Sequence, residues 1–573
     1  MESQATKVNQ SPVLQQMAPI ARLKSPGFWL KVLLVAVLAL LAAPQLWYPF
    51  GFDQGVYAAC GDVIRRGGIP IQDCFETKQP GVMVMYAIPM FFTMAPMAIH
   101  AFTLLWTALT AVVIGLTAGR LFGRSAAWPA GVLYWLAYAG INYWSMDQAE
   151  TFANFFLVIA LLGAWLGSQT SNVRPDHTST ASVLPSPLWL VLAGACIGVA
   201  FWFKYVFGLI GIALALCILV QVWLRNRSLP RAMGSSVLFG FTTLGVVALG
   251  VLYFVLHGAL GALVSQFQFL LAAFPLGPPR TVPQIFMQML RFFDNGADIT
   301  SDFKATVPQW IILGGGFPLI GLLAVAGIVH WARREPMRYV FVLMYFLSAA
   351  AVVVWQANYI QYQYTIMLPA FAIAAAGLYG FPTAQPPALP QPGAHPTRSR
   401  FQNPQSVLLV GTLILAGMLL SIRLLPWVDD AYQNVVLRGK SALSIYLESF
   451  VAPNIPLAEY IDRHTQPTDT LFIFGDAPWV YTLADRRNAT RFSFVNLWLR
   501  KRDAVTYPLF TRQLLEGLQR NQPVYFILTK PNFPWPNNDY IPDFKAATAI
   551  YQYVESHYAY EGENGPFLLF HRK

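Results

Sequence analysis

The stretch PGVMVMYAIPMFFTMAP (Pro80–Pro96) decides how this chain is threaded. It is apolar throughout and reads either as a membrane crossing or as a helix lying along the membrane surface. Flanking charge selects between the two. Without a crossing there, one side of the membrane receives 14 Lys and Arg: Lys7, Arg22, Lys24, Arg120, Arg124, Arg174, Arg225, Arg227, Arg231, Arg333, Arg334, Arg338, Arg398 and Arg400. The other side's loops hold seven: Arg65, Arg66, Lys78, Lys204, Arg280, Arg291 and Lys304. A crossing at 80–96 would reverse every later loop and turn the basic clusters outward, against the positive-inside bias. The expectation is a juxtamembrane or re-entrant helix at 80–96, a cytoplasmic N-terminus and an external C-terminal part.

Composition makes the bilayer the solvent for most of the rest. Of 573 residues, 56% are hydrophobic, 14% aromatic and only 11% charged, with a mean hydropathy of +0.47. Soluble domains carry about 25% charged residues. Apolar runs long enough to span, roughly 17–25 residues, occur at Trp29–Trp47, His100–Gly119, Ala126–Tyr143, Thr151–Gly167, Leu188–Phe203 and Tyr205–Trp223. They recur at Ser235–His257, Val307–Val329, Tyr339–Trp355, Tyr362–Tyr379 and Ser406–Leu424, for eleven expected crossings. The long polar lead-in to the first run makes it an uncleaved anchor rather than a signal peptide.

Residues 1–424 therefore form the expected transmembrane module, with 51–97 as its first outer loop, and residues 425–573 an external α/β domain. In the latter, Thr470–Phe474 and Val524–Leu528 read as buried strands, Asp543–Tyr558 as helical and Phe567–His571 as a closing strand. The Ser/Thr/Pro-rich segments 168–187 and 381–405 read as linkers. Pro283–Asp294 is amphipathic and suits a helix at the lipid interface.

The net charge of +11 is not a nucleic-acid signature. Residues 1–424 hold 23 Lys/Arg against 12 Asp/Glu, while residues 425–573 hold 15 of each. The excess belongs to the membrane module, and there is no basic arm, so nucleic-acid binding is not expected. Cys196 and Cys217 lie in apolar runs and read as core. Cys60 and Cys74 share the first outer loop, where they are either free thiols or, in an oxidising compartment, a disulfide.

On this threading nine of the twelve acids of the membrane module face outward: Asp53, Asp62, Asp73, Glu76, Asp147, Glu150, Asp294, Asp298 and Asp302. Ionisable groups gathered at one membrane face point to binding or catalysis. An outward site has no supply of ATP or nucleotide-sugars, and the sequence offers no Walker loop, strand-flanked GxGxxG, HExxH or paired CxxC. A substrate activated as a lipid phosphate fits what remains.

The stretch FDQGVYAACGDVIRRGGIPIQDCFETKQPG (Phe52–Gly81) resembles the first outer loop of bacterial GT-C-fold glycosyltransferases, the group of protein O-mannosyltransferases and lipid A aminoarabinose transferases. Asp53, Gly55 and Tyr57, the turn at Gly67–Gly68, Asp73, and Lys78 with Pro80 match in order. DQAE (Asp147–Glu150) resembles the second outer loop, QANYIQYQYTIMLP (Gln356–Pro369) a later aromatic stretch, and TDTLFIFGDAPWVYTLADRRNATRF the external domain of that group. The resemblance implies a GT-C membrane fold and inverting transfer of a sugar from a polyprenyl-phosphate donor to a hydroxyl on a glycan, lipid or protein, at the outer face of the bacterial inner membrane. It implies Asp53 as the base.

Lys78 is the best match for the cation facing the leaving phosphate; a lysine snorkelling to the headgroups is the plainer alternative. Lys204, inside the apolar run Ala200–Phe207, is a second candidate cation or a turn marker. Glu150 and Asp147 are placed to orient the acceptor, hydrogen-bond the sugar or hold a divalent cation; Glu150 also suits the N-terminal turn of a helix. Asp73 is a sugar contact or a loop-ordering acid, and Tyr57, Tyr362 and Tyr364 are candidates to line the donor groove. No cofactor is required by these residues. A transporter or flippase of lipid-linked glycans is the rival, and it should carry internal repeats with polar groups near the midplane; neither is visible. A membrane scaffold presenting the tail domain leaves the acidic first loop unexplained.

Overall fold

The structure is a computed structural model, and it describes residues 26–139, 141, 145–169, 186–273, 280–290, 317–332, 336–380, 411, 432–439, 452–495, 499, 502, 504–533 and 538–573. The crossing expected at Ser406–Leu424, residues 307–316 of the run ending at Val329, the linkers at 170–185 and 381–405, residues 291–294 of the amphipathic stretch and the acids Asp294, Asp298 and Asp302 lie outside these. The membrane part comprises α1 (Pro26–Ala42), α2 (Phe52–Arg65), α3 (Pro80–Met90), α4 (Pro96–Phe122), α5 (Ala127–Ala139), α6 (Ala149–Gly167) and α7 (Ser186–Phe201). It continues with α8 (Gly208–Asn226), α9 (Leu229–Leu256), α10 (Leu260–Ala273), α11 (Val282–Leu290), α12 (Phe317–Ala332), α13 (Pro336–Gln356) and α14 (Leu368–Ala376).

Among the described residues five of these helices are individually long and apolar enough to cross a bilayer: α4, α6, α8 (with the preceding turn from Tyr205), α9 and α13. The other described runs arrive as shorter helices or as helices interrupted by 3-10 turns. The run at Tyr362–Tyr379, for example, is a 3-10 helix (Gln361–Met367), α14 and a second 3-10 turn (Gly377–Tyr379). The structure thus shows a polytopic helical membrane protein, while eleven remains the sequence count. The sequence treats 258–306 as loop, but its first part is the apolar α10.

The deciding stretch, α3, is a helix of 11 residues. At 1.5 Å per residue it is about 16 Å long, roughly half the hydrocarbon thickness. Pro80 starts it where a missing N–H costs nothing. A break at 91–95 separates it from α4, and Phe91 and Phe92 at that break are 63% and 87% exposed.

Gly81 explains where α3 starts. Its N–H donates to the Trp202 carbonyl at 2.7 Å, and a Cβ at this position would lie 2.6 Å from that oxygen. Only glycine allows the contact, which fastens the end of the first outer loop to the turn between α7 and α8.

The C-terminal part adds α15 (Asn454–His464), α16 (Trp479–Leu483), α17 (Thr506–Asn521), α18 (Ile541–Ala546), α19 (Thr548–His557) and five strands: β1 (Thr470–Phe474), β2 (Arg487–Asn488), β3 (Tyr525–Thr529), β4 (Tyr558–Asn564) and β5 (Phe567–Arg572). The sheet order is β2-β1-β3-β5-β4. β1 is parallel to β2 and β3, and β5 is antiparallel to β3 and β4. Where sequence reads one helix over Asp543–Tyr558, the structure has two, broken at Ala547 (φ −80°, ψ 63°), with Tyr558 already in β4. This part rests on the first outer loop: Phe75 N–H donates to the Arg491 carbonyl at 2.6 Å, Phe50 packs against Trp479 at 5.8 Å between ring centroids, and a Cβ on Gly55 would come within 3.0 Å of the Trp479 nitrogen.

Candidate active site

Asp53 sits in the first turn of α2, where unsatisfied backbone N–H groups favour a carboxylate. Lys78 comes from the returning arm of the same loop, which a Cys60–Cys74 disulfide (Cα–Cα 5.3 Å) ties back to α2. Lys78 Nζ lies 3.2 Å from Asp53 Oδ2 and 3.5 Å from Glu76 Oε1. It also sits 5.4 Å above the Tyr57 ring, a position that favours an ammonium.

Burial works to lower the Lys78 pKa, but its neighbours, Asp53 foremost, outweigh that and hold the ammonium well above its usual range. Glu76 goes the other way for a carboxylate: burial raises its pKa, and Lys78 only partly offsets the shift. One ammonium is shared by two carboxylates and lies nearer to Asp53. The Asp53 side chain stays 16% exposed, against 3% for Glu76, which leaves Asp53 as the one reachable by a substrate.

A second pair faces the first. Lys204 ends the extended segment after α7 (φ −154°, ψ 129°) and points inward, with Nζ 2.5 Å from Glu150 Oε1 and 3.0 Å from Gln356 Oε1. Glu150 lies in the first turn of α6, fully buried, and its Oε2 has no hydrogen-bond partner among the described residues. The Lys204 ammonium stands 5.1 Å from the centre of the Tyr362 ring, and the Tyr362 side chain lies within electrostatic range of Asp53, Lys78 and Glu150. Tyr362 therefore joins the two cation–carboxylate pairs.

The remaining expected residues divide. Tyr57 joins the pair beneath Lys78 and donates its hydroxyl hydrogen to Gln148 Oε1 at 3.0 Å. Asp147, in a left-handed conformation (φ 58°), turns away from the pairs: its Oδ2 lies 2.6 Å from His100 Nδ1, and His100 Nε2 lies 2.9 Å from the Tyr48 carbonyl. Asp73 also lies elsewhere, its Oδ2 accepting the Ile69 N–H at 2.7 Å and closing the Gly67–Gly68 turn. Tyr364 donates its hydroxyl to the Gln288 carbonyl of α11 at 2.6 Å.

Three polar residues of this neighbourhood have no role in the sequence reading: Glu76, Gln356 and His100. Glu76 was recoverable, being an acid two residues before a candidate lysine in a loop expected to face the site. Gln356 and His100 sit in apolar helices whose facing partners only the packing reveals.

No protein-family model matches this chain, and no curated protein matches it in sequence. Its structure is similar to that of ArnT from Cupriavidus metallidurans in the apo state, at 16% identity over 95% of this chain and 98% of that one, with a TM-score of 0.55. It is likewise similar to the same protein bound to undecaprenyl phosphate, at 13% identity over the same shares, with a TM-score of 0.54. The fold is thus the GT-C membrane fold that the loop motifs led us to expect.

Proposed function

We propose that this chain is a membrane glycosyltransferase that moves a sugar from a polyprenyl-phosphate donor to a hydroxyl acceptor at the outer face of the bacterial inner membrane, with inversion. The observation that carries the proposal is the joining of Asp53–Lys78 and Glu150–Lys204 through Tyr362. It gathers one reachable carboxylate and two ammonium groups at one place. The disulfide in the first outer loop supports an oxidising compartment on that side, and the solved relative named above was crystallised with undecaprenyl phosphate.

In this scheme the acceptor oxygen attacks the anomeric carbon while the bond from that carbon to the phosphate oxygen breaks. Asp53 takes the acceptor's proton, and the departing phosphate keeps the bonding electron pair. Lys78 and Lys204 supply the positive charge that the growing phosphate charge requires. A phosphate drawing on Lys78 competes with Asp53 for it, so donor binding loosens the ion pair and frees the carboxylate for the acceptor. Tyr57 and Tyr362 wall the donor groove, Glu150 holds Lys204 in place, and residues 425–573 form the external domain that covers the first loop.

Asp53→Asn tests this. Sugar transfer from a polyprenyl-phosphate sugar should fall by about 10²–10⁴-fold, the usual contribution of a positioned base, while expression and binding of the lipid donor persist. An Asp53→Asn enzyme of near wild-type rate removes the carboxylate from the role of base.

A further inference from the structure

A cleft of about 630 Å³ opens between the outer end of α2, the start of α10 and the C-terminal part, within the range of small-molecule sites. It is separate from the pairs at Asp53. Asp62, on its wall, is nine residues along α2 from Asp53, about 13 Å at helical rise.

Five arginines line the cleft: Arg66, Arg486, Arg487, Arg491 and Arg520. Three have fixed roles in its wall. Arg66 pairs with Asp62 at 2.7 Å and Asp485 at 2.5 Å. Arg486 is buried and pairs with Asp462 at 3.1 Å. Arg491 donates to the Ile71 carbonyl at 2.6 Å and to Gln513 Oε1 at 3.2 Å, its guanidinium 5.4 and 5.5 Å from the ring centres of Phe75 and Phe492. Its Nε is nevertheless buried without a hydrogen-bond partner among the described residues, and burial pushes its pKa down to about 10, with Asp73 only partly opposing.

Arg487 and Arg520 are exposed and carry no ion pair among the described residues. The acids on the wall do not balance them. Asp62 is engaged by Arg65 and Arg66, Asp73 by the Ile69 N–H, and Glu516 by Arg512 at 3.8 Å. The floor of Ala59, Val63 and Tyr481 is apolar enough to take the face of a sugar ring.

We propose that this cleft binds an oxyanion-bearing saccharide, a phosphate or carboxylate carried on a sugar, through the exposed guanidinium groups of Arg487 and Arg520. Guanidinium groups match both anions bidentately. Naming that saccharide as part of the acceptor rests on the transferase reading above; the binding itself does not. A site on the joint between the first outer loop and the C-terminal part would hold an acidic acceptor chain while its hydroxyl reaches Asp53.

The test is equilibrium binding by the full-length protein in lipid nanodiscs, using glucose 1-phosphate, glucuronic acid and neutral glucose as probes. At least one anionic sugar should bind at least tenfold more tightly than glucose, and more weakly as salt rises. The double variant Arg487→Gln/Arg520→Gln, at exposed positions, should lose at least tenfold of that binding with an unchanged thermal melt. Preference for the phosphate or for the uronate assigns which oxyanion the cleft takes. Glucose binding as well as either anion, no anion binding at millimolar concentration, or a double variant that binds like wild type overturns the proposal. Anion binding that persists in a protein showing no sugar transfer leaves the cleft standing and removes only the transferase reading.

Discussion

The Lys204 ammonium lies 2.5 Å from Glu150 Oε1 although the two residues stand 54 apart in sequence and enter from opposite ends of their helices. Glu150 opens α6, and Lys204 follows the end of α7. Both are nearly dry, at 0% and 7% side-chain exposure. Two buried charges of this kind are held by each other, and removing one strands its partner.

A double-mutant cycle should show it. Glu150→Gln and Lys204→Met alone should each cost on the order of 3–5 kcal/mol. The double variant should cost less than their sum, with a coupling above about 1 kcal/mol. Additive losses in unfolding midpoint would mean the pair is not a unit.

Tyr362→Phe removes one hydroxyl and keeps the ring beneath Lys204. In the proposed mechanism that hydroxyl serves Asp53, and a hydrogen bond to a charged group contributes about 1.5–3 kcal/mol, so kcat should fall by roughly 10–100-fold at nearly constant donor KM. A rise in donor KM with kcat intact would move Tyr362 from the reacting carboxylate to donor binding.

The Cys60–Cys74 bridge spans a sequence separation of 14. Loop-closure reasoning gives about 3 kcal/mol for a loop of that size. Cys60→Ser/Cys74→Ser should lower the melting temperature, and a reductant should do the same to wild type but not to the variant. Identical melts for all three would show that the bridge does not hold the loop.

Glu76 supplies a pH dependence. Its pKa is raised in the folded protein by burial, with Lys78 only partly opposing. Ionisation therefore disfavours the folded state, so this group's stabilising contribution is full below its unfolded pKa and is lost as pH rises through the folded value. Glu76→Gln should melt higher than wild type at pH 7.5, and the gap should close below about pH 4, where the unfolded carboxyl takes its proton. A gap that widens in acid would reverse the sign.

Local features are legible in the sequence. Apolar runs fix helices because each run satisfies its own backbone, and charge placement alone argues against a crossing at 80–96, where the structure has the short helix α3. Asp53 and Lys78 are legible because they lie in one loop with a recurring pattern. The partnership of Lys204 with Glu150 and Gln356 is not, since it depends on how α6, α7 and α13 pack. DQAE sets Asp147 beside Glu150 in the chain, yet the positive φ at Asp147 turns its carboxylate to His100. Of the cleft arginines only Arg66, a weak phosphate candidate, stands out in the sequence; the docking of the C-terminal part against the first loop gathers the rest.

The bond from Gly81 N–H to the Trp202 carbonyl has a mechanical consequence. Two residues beyond Trp202 lies one ammonium and three residues before Gly81 lies the other, and a second stitch, Tyr205 N–H to Gln79 Oε1 at 3.2 Å, crosses the same seam. Lys78 and Lys204 are thereby yoked, and a displacement of either backbone segment carries the other with it.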